Sequence, residues 1–271
     1  MIFQKTDNMK LTIITICYND KEGLVRTLKS VECQTCKDFQ YIIIDGASTD
    51  GSVELLKQYT EMIDYQISEK DNGIYNAMNK GIKQAQGEYC LFLNAGDSLC
   101  ACDTIEKVHS LLGGADFVSG DTICTFSNGH TSVWRAVNQV TTYLMAIYSL
   151  SHQATFIRTN LLKQRPYRED LRIVSDWEQM FYELIICDRS YKRIEVPICE
   201  FAQGGISSSQ KENRERERQK VLDEHFSKRM QLDIVHPALL VRIATLADIG
   251  TNYYRILELA ARVIRKTFVR K

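Results

Sequence analysis

The chain has no long apolar run, no excess of either charge and only three prolines among its 271 residues. No stretch reaches the roughly 18 uninterrupted apolar residues that a membrane-spanning helix needs, and the polar opening MIFQKTDNMK is unlike a secretory signal peptide. Lys and Arg together number 34, as do Asp and Glu, so the charge balance gives no reason to expect nucleic acid as a partner. With 44% hydrophobic residues, the composition predicts a soluble globular protein with a sizeable core.

The nine cysteines are numerous enough for a disulfide framework, but their positions favour free thiols. Cys17, Cys90 and Cys187 lie within apolar runs, where a thiol behaves as a small hydrophobic group. The stretch CQTC at 33–36 is a lone C-x-x-C without a second pair at zinc spacing, and metal or redox use of it is the alternative interpretation. We therefore expect a reduced, cytosolic chain.

Apolar runs without alternation recur over the first 120 residues, and segments with helical spacing lie between them. The first run, LTIITICY at 11–18, is followed by a segment whose apolar residues have the spacing of a helix. Further runs of strand length occur at 39–45, 63–69 and 88–94. Strands of this kind, separated by helices, predict a parallel sheet that is covered on both faces.

The ends of these four predicted strands are polar. They read CYND, DGASTD, SEKDNG and NAGD, and each is dense in Asp, Asn, Ser, Thr and Gly. In parallel α/β sheets, ligands bind outside the carboxyl ends of the strands. The sequence therefore predicts that these four segments meet at one edge of one sheet and form the functional site.

Beyond residue 120 the pattern is mixed. A hairpin is predicted around the turn Asn128-Gly129, and a strand is predicted in SHQATFIR. The other predicted elements are a helix in DWEQMFYELIIC, a strand in YKRIEVPICEF with Pro197 near its end, and a charged, solvent-facing helix in KENRERERQKVLDEHFSKR. The last segment is amphipathic and rich in Arg and Lys. We divide the chain into a domain at 10–230 and a C-terminal amphipathic helical extension at 231–271.

Six motifs follow one another along roughly residues 10–230: TICYND, IIIDGASTDGS, EKDNGIYNAMNKGIKQAQGEYCLFLNAGD, SHQATFIR, SDWEQ and GGISSS. Each is weak alone, but the six in this order resemble a family 2 glycosyltransferase of the GT-A fold. The resemblance is strongest to the bacterial enzymes that build surface polysaccharides. It implies an α/β fold in which helices flank a mostly parallel central sheet, the nucleotide-diphospho-sugar transferase fold.

The resemblance also implies an enzyme of the hexosyltransferase type that takes a nucleotide-sugar donor, with a UDP-sugar expected, and uses Mg²⁺ or Mn²⁺. It implies inverting transfer to a hydroxyl of a glycan or lipid-linked saccharide, in surface polysaccharide synthesis in the cytoplasm. The basic amphipathic extension leaves two interpretations open. It could make peripheral contact with the inner face of the plasma membrane, or it could pack against the catalytic domain or a second subunit.

Sugar transfer makes two electrostatic demands, because the leaving diphosphate develops negative charge and the acceptor hydroxyl loses a proton. By resemblance, Asp97 at the end of LFLNAGD is the metal ligand that meets the first demand. One carboxylate can suffice, since Mg²⁺ often takes only one or two from the protein. Asn94 and Gly96 lie where relatives often carry acids, so the expected metal site has fewer carboxylate ligands. The alternative is that Asp97 caps a helix that begins near Ser98.

For the nucleotide, the resemblance implies a pocket at the ends of the first two strands. Asp45 would accept a hydrogen bond from the uracil or ribose, and the stretch containing Thr15, Tyr18 and Asn19 would line the base pocket. Tyr18 offers a stacking face, although packing is its alternative role. The other residues expected near the nucleotide are Asp71, Lys80 and Asn94, of which Lys80 has the alternative of a solvated surface lysine.

For the second demand, Asp176 in SDWEQ is the candidate general base, a role that contributes about 10²- to 10⁴-fold. A helix N-terminus would lower its pKa and keep it ionised. The alternative is a capping box in which Ser175 caps the helix and Glu178 completes the motif. The side chains that the resemblance places near the donor or acceptor sugar are His152, Gln153, Trp177 and Glu178.

Three points remain open in the sequence. The loop GGISSS at 204–209 suits a glycine-hinged lid or an ordinary surface loop. A sugar-1-phosphate nucleotidyltransferase has a similar fold, but it would need a glycine-rich basic loop near the first strand, and CYNDKEGL supplies none. A catalytically inactive nucleotide-sugar-binding protein is the third alternative, because the acidic motif is thinned.

Overall fold

The structure is a computed structural model that describes residues 9–126, 129–202 and 210–232. The strands are β1 Leu11–Cys17, β2 Gln40–Asp45, β3 Tyr65–Ser68, β4 Tyr89–Phe92, β5 Ser98–Leu99, β6 Phe117–Thr125, β7 Thr131–Trp134, β8 Thr155–Arg158 and β9 Tyr191–Ala202. The helices are α1 Lys21–Glu32, α2 Ser52–Leu56, α3 Ile74–Gln84, α4 Thr104–His109, α5 Thr142–Ile147, α6 Thr159–Gln164, α7 Ser175–Phe181 and α8 Lys211–His225. A 3-10 turn, His152–Ala154, precedes β8, and a π-helical turn, Tyr182–Ile186, follows α7.

The strands form one nine-stranded sheet in the order β3-β2-β1-β4-β8-β6-β9-β5, and β7 pairs with β6 outside this path. The first four strands in this order are parallel. Strand β8 runs antiparallel between β4 and β6, while β9 is parallel to β6. The predicted α/β architecture is therefore confirmed, with a parallel first half and a mixed second half.

The uninterrupted apolar runs form the centre of the sheet. Strands β1, β2 and β4 are buried at every residue, because helices cover both faces. Alternate side chains of a strand point to opposite faces, so Ile14 and Ile42 enter one core layer while Ile13 and Ile43 enter the other. A strand with a core on each side is mainly apolar on both faces and does not alternate, as the sequence predicted.

The second half contains the predicted hairpin, with β6 and β7 antiparallel and the Gly129 amide donating to the Phe126 carbonyl at 2.9 Å. Asn128 lies outside the described residues. The predicted strand is β9, and Pro197 lies within it, five residues before its end at Ala202. Pro197 faces Asp121 where the register between β9 and β6 shifts, and such irregular positions tolerate a residue without an amide hydrogen.

One pair of cysteines contradicts the prediction of reduced thiols. Cys33 at the end of α1 and Cys102 before α4 form a disulfide, with their Cα atoms 5.1 Å apart. The prediction that cysteines in apolar runs are free thiols is confirmed for Cys17 and Cys90, which are both buried. Burial raises the pKa of Cys90 to about 12. Cys187, in contrast, is exposed.

The charged helix predicted near the end of the domain is α8, which is largely exposed and buries Val221. The loop at 204–209 lies outside the described residues, as does nearly all of the extension at 231–271, so the division into two parts stays a prediction. Among the helices that the structure describes, none is both long and apolar enough to cross a membrane.

Candidate active site

The carboxyl ends of β1 to β4 lie side by side at one edge of the sheet, as predicted. Cys17 pairs with Asp45, and Asp45 pairs with Ser68. On the other side of β1, the Ala95 amide after β4 donates to the Ile16 carbonyl at 3.0 Å. The four polar segments therefore gather at the edge where ligands bind in open α/β sheets.

The two carboxylate oxygens of Asp45, at the end of β2, differ in their contacts. Its Oδ2 accepts from the Ser48 amide at 2.9 Å and from the Ser68 hydroxyl at 2.6 Å. Its Oδ1 is buried and has no hydrogen-bond partner among the described residues. A buried acceptor without a partner is rare and unfavourable, so this oxygen suits a donor supplied by a ligand.

Tyr18, Gly46 and Asp71 border the space beside Asp45. Tyr18 is 70% exposed, and a Cβ atom at position 46 would lie 3.1 Å from its ring and 3.0 Å from Asp71 Oδ2. The missing side chain at Gly46 therefore keeps a narrow space open between an aromatic ring and a carboxylate. The Lys80 ammonium lies 2.6 Å from Asp71 and 2.7 Å from Glu69, so two carboxylates already offset its charge.

Thr15 and Asn19 have roles different from the base contacts that the sequence predicted. The buried Thr15 hydroxyl lies 3.0 Å from the Tyr41 hydroxyl and donates to the Leu93 carbonyl at 2.7 Å, so its hydrogen-bonding capacity is used inside the protein. Asn19, at a φ of 50°, accepts from the Thr49 amide at 2.8 Å. It thus shapes the loop that follows Asp45.

Asp97 follows β4 in a tight turn and is buried. The interpretation of Asp97 as a helix cap was wrong, because β5 comes next and α4 begins only at Thr104, with Asp103 at its N-cap. Asp97 Oδ2 accepts from the Asn94 amide at 3.2 Å. Burial raises the pKa of Asp97 to about 6, although nearby His152 and a hydrogen bond from Gln153 oppose this effect.

His152 connects the two acids that the sequence singled out. Its Nδ1 lies 3.1 Å from Asp176 Oδ2, and its Nε2 lies 3.3 Å from the side-chain amide nitrogen of Asn94. Burial alone would lower the pKa of His152, but the hydrogen bond and charge of Asp176 and the charge of Asp97 raise it overall. The structure therefore brings Asp97 and Asp176 to one place, although they lie far apart in the sequence.

Tyr75 is a site residue that the sequence did not reveal. From the first turn of α3, its hydroxyl donates to Asp176 Oδ1 at 2.8 Å. Burial alone would raise the pKa of Asp176. Hydrogen bonds from His152 and Tyr75 and the charge of His152 together outweigh this effect and hold the pKa below its ordinary 3.8. The only local signal was the position of Tyr75 just after the polar DNG segment.

Asp176 does lie in the first turn of a helix, α7, but the predicted capping box is absent. Val174 is the N-cap residue, and no side chain caps the helix. The buried Ser175 hydroxyl has no partner among the described residues. Glu178 forms an ion pair with Arg165 instead, so the interpretation of Ser175 and Glu178 as a capping box was wrong.

Trp177 and Glu178 are also not placed to contact a sugar. The Trp177 ring is 1% exposed, and its Nε1 donates to the Met145 carbonyl at 2.6 Å. The Glu178 side chain is fully buried between Arg165 and Arg168. Both side chains hold α7 against the body of the protein, so only Asp176 of this segment reaches the site.

Replacing Glu178 with Gln is expected to lower the free energy of unfolding by about 2 kcal/mol, because it leaves the Arg165 charge without its buried partner. This is below the roughly 3–5 kcal/mol of a fully buried pair, since Arg165 is 25% exposed. Urea unfolding measures the change. The matched control is Glu195→Gln, since Glu195 lies 3.7 Å from Arg193 and is 85% exposed. A control midpoint as low as that of Glu178→Gln would contradict this account.

Helix α8 holds the segment that leads into Asp176. The Glu217 carboxylate accepts from the Arg172 amide at 2.8 Å and from the Ile173 amide at 2.9 Å. The Arg172 guanidinium in turn donates to the Asn72 carbonyl at 2.7 Å, just before α3. The approach to Asp176 is therefore tied both to α8 and to the loop that carries Asp71.

The site offers a divalent cation few ligands. In the parts of the chain that the structure describes, no group of three or more His, Cys, Asp and Glu residues is arranged to hold a metal. Beside Asp97, however, the Asn94 Oδ1 atom is buried without a partner among the described residues. One carboxylate and one amide oxygen are hard ligands of the kind that Mg²⁺ and Mn²⁺ accept, and diphosphate oxygens and water could complete the shell.

Comparison with known proteins shows the family to which the chain belongs. Residues 12–171 match the family described as Glycosyl transferase family 2. A PGL/p-HBAD biosynthesis glycosyltransferase of Mycobacterium tuberculosis is 29% identical over 231 residues, which cover 82% of this chain and 84% of the relative. An uncharacterized glycosyltransferase of the same organism is 30% identical over 206 residues, 73% of this chain and 77% of the relative. The chain belongs to glycosyl transferase family 2 and is a glycosyltransferase.

Solved structures confirm the GT-A fold. Staphylococcus aureus TarS 1-349, in complex with UDP-GlcNAc, aligns with a TM-score of 0.63 and 19% identity over 87% of this chain and 73% of TarS. The mannosyltransferase PcManGT from Pyrobaculum calidifontis, in complex with GDP-Man and Mn²⁺, aligns with a TM-score of 0.62 and 15% identity over 95% of this chain and 81% of that protein. At these identities the likeness concerns the fold.

Proposed function

We propose that this glycosyltransferase moves a sugar from a UDP-sugar to a hydroxyl acceptor, with inversion at the anomeric carbon. The observation that carries the proposal is the arrangement at the sheet edge. An oxygen of Asp45 that is buried without a partner among the described residues lies on the same edge as two carboxylates. Of these, Asp176 contacts the His152 imidazole and Asp97 acts on it through its charge. A nucleotide-sugar donor needs a base pocket and a reaction centre, and these two groups supply them.

Asp45 and Tyr18 would bind the base. Uracil presents a single ring N–H between two carbonyls, and one free carboxylate oxygen matches one donor. Guanine presents adjacent ring and amino donors, which would need two acceptors. The exposed Tyr18 ring beside Gly46 would stack on the base, a contact of about 1–3 kcal/mol. This pairing is the reason for proposing UDP over GDP.

Asp176 would act as the general base. The acceptor oxygen attacks the anomeric carbon and gives its proton to Asp176, while the bond from that carbon to the β-phosphate oxygen breaks and UDP leaves. His152 and Tyr75 each hold one oxygen of this carboxylate and keep it ionised. A Mg²⁺ or Mn²⁺ ion held by Asp97 and Asn94 Oδ1 would offset the charge that develops on the diphosphate.

The acceptor that we propose is a glycan or lipid-linked saccharide in bacterial surface polysaccharide synthesis at the cytoplasmic side of the membrane. Support comes from the similarity to a biosynthetic glycosyltransferase and from the basic amphipathic sequence of residues 231–271. Peripheral membrane contact through that segment belongs to the same proposal.

Asp45→Asn is expected to abolish most of the stabilisation that UDP gives the wild type. The amide oxygen can keep the Ser48 contact, but the amide nitrogen then faces the N–H of the base, and affinity should fall about tenfold or more. Thermal melting with UDP, GDP and Mn²⁺ measures this, since a ligand of the folded state raises Tm. Asp116→Asn is the control, because Asp116 pairs with Ser190 at the opposite edge.

Three outcomes bear on the proposal. Stabilisation by UDP that Asp45→Asn loses and Asp116→Asn keeps, together with metal-dependent release of UDP from a UDP-sugar, supports it. Stabilisation by GDP alone would overturn the donor assignment. Tight UDP binding without turnover of any UDP-sugar would favour an inactive binding protein.

A further inference from the structure

Helix α1 is hydrogen-bonded to the turn that carries Asp97. Thr27 is fully buried on α1, and its hydroxyl lies among the backbone groups of that turn. It donates to the Asp97 carbonyl at 2.7 Å and accepts from the Gly96 amide at 3.1 Å. The carbonyls of Asn94 and Gly23 lie at 3.1 and 3.2 Å from the same hydroxyl, within reach of its single hydrogen.

Ser30 on α1 and the segment just after the helix extend this connection along the chain. The Ser30 hydroxyl accepts from the Leu99 amide at 3.1 Å. The Gln34 side chain donates to the Ala101 carbonyl at 2.7 Å and accepts from the Ile105 amide at 3.0 Å. The Cys33–Cys102 disulfide joins the same two segments. Thr27 is the member of this series that acts on the turn itself.

The turn depends on Thr27 because, in the described part of the chain, the other hydrogen bonds of the turn leave two of its backbone groups without a partner. The Asp97 amide donates to the Asn94 carbonyl at 2.9 Å, and the Asn94 amide donates to the Asp97 carboxylate at 3.2 Å. Gly96 has a φ of 96°, a conformation that few other residues adopt without strain. The Gly96 amide and the Asp97 carbonyl then point to α1, where one hydroxyl both donates and accepts.

We propose that Thr27 is a positioning residue for the reaction: its hydroxyl fixes the Asn94–Asp97 turn so that Asp97 and Asn94 Oδ1 present their oxygens to the cation and diphosphate. Thr27 itself touches neither donor nor acceptor. The inference rests on the proposed function for the role of Asp97, but the geometry of the turn does not.

The test compares Thr27→Val with Thr27→Ser. Valine has nearly the same shape but lacks the hydroxyl, and so leaves two buried backbone groups unpaired, whereas serine keeps it. In the ligand-free protein, hydrogen exchange of the Gly96 amide should become about tenfold faster in Thr27→Val. The Mn²⁺ concentration that gives half of the additional Tm shift caused by Mn²⁺ in the presence of UDP should rise about tenfold. Thr27→Ser should restore both values to within about threefold of the wild type.

A matched control separates positioning from general loss of stability. Thr12 is also a fully buried threonine, and its hydroxyl donates to Gln40 Oε1 and accepts from the Gly87 amide, both at 2.9 Å, but at the opposite edge of the sheet. Thr12→Val should lower Tm by a similar amount and leave the Mn²⁺ requirement unchanged. If both valine variants raise that requirement equally, or if Thr27→Val does not raise it, the positioning role is wrong.

The outcome for the wild type is separate. If UDP with Mn²⁺ does not stabilise the wild-type protein, the proposed function fails, whereas the hydrogen exchange of Gly96 still tests whether Thr27 fixes the turn. If the wild type binds and only Thr27→Val exchanges faster without a change in Mn²⁺ requirement, Thr27 is structural and the proposed function stands.

Discussion

Asp176→Asn is expected to lower kcat for sugar transfer by about 10²- to 10⁴-fold, the contribution of a general base. The amide oxygen can still accept the hydrogen bond from the Tyr75 hydroxyl, so α7 and the turn around Asp97 should keep their positions. The amide cannot, however, take the proton from the acceptor hydroxyl. UDP binding should be unchanged, because the proposed contacts with the base are made by Asp45 and Tyr18 and not by Asp176. Initial rates with a UDP-sugar and an acceptor, together with the Tm shift caused by UDP, measure both quantities.

The pH dependence sharpens this prediction. The pKa of Asp176 is held below 3.8, so the wild-type carboxylate is ionised at both pH 6 and pH 8. The ratio of wild-type to Asp176→Asn turnover should therefore be the same at the two pH values. Tyr75→Phe is the matched variant, because it keeps the carboxylate and removes one hydrogen bond, and its loss of kcat should stay below about tenfold. Turnover by Asp176→Asn within tenfold of the wild type would exclude Asp176 as the base.

The second large effect is expected from Asp97→Asn, which should stop the cation-dependent part of donor binding and turnover. Asparagine keeps an oxygen that can accept from the Asn94 amide, but it removes the only carboxylate proposed as a ligand. The Tm shift from UDP alone should remain, while the additional shift from Mn²⁺ should disappear and turnover should fall at least about 10²-fold. Unchanged Mn²⁺ dependence in this variant would remove Asp97 from the metal site.

The same variant should be more stable than the wild type when no cation is present. A carboxyl group whose pKa is about 6 in the folded protein against an ordinary 3.8 destabilises the folded state once pH rises above both values, by up to about 3 kcal/mol. With EDTA at pH 8, Asp97→Asn should therefore melt at a higher temperature, and the difference should vanish below pH 3.8. Equal or lower Tm at pH 8 would contradict the burial of an ionised carboxylate here.

The parallel half of the fold was predictable because its signals are local. Each of β1, β2 and β4 is an uninterrupted apolar run, and a polar segment follows each run. The parallel order then brings Asp45 and Asp97 to one edge by geometry alone. The position of β8, antiparallel between β4 and β6, was not predictable in this way, because a short strand carries no signal of its neighbours or of its direction.

The residues around the reaction centre were harder to predict for two different reasons. Trp177 could have been assigned to the core, because Trp177, Met180, Phe181 and Leu184 have the spacing of one buried helical face and all are buried. Tyr75 and Thr27 had no such signal, since their partners lie far along the chain and only tertiary packing brings them together. The disulfide partner of Cys33 is likewise 69 residues away, so no local pattern in the sequence indicated this pair.

The contact of Glu217 with the Arg172 and Ile173 amides limits how the enzyme can be shortened. The family match ends at residue 171, before the proposed base and before α8. A fragment cut there would lose Asp176, and a fragment cut after β9 would keep Asp176 but leave both amides without the carboxylate that orients them. The smallest active piece should therefore extend through α8, and shuffling of segments between relatives should exchange α8 together with the loop that it holds.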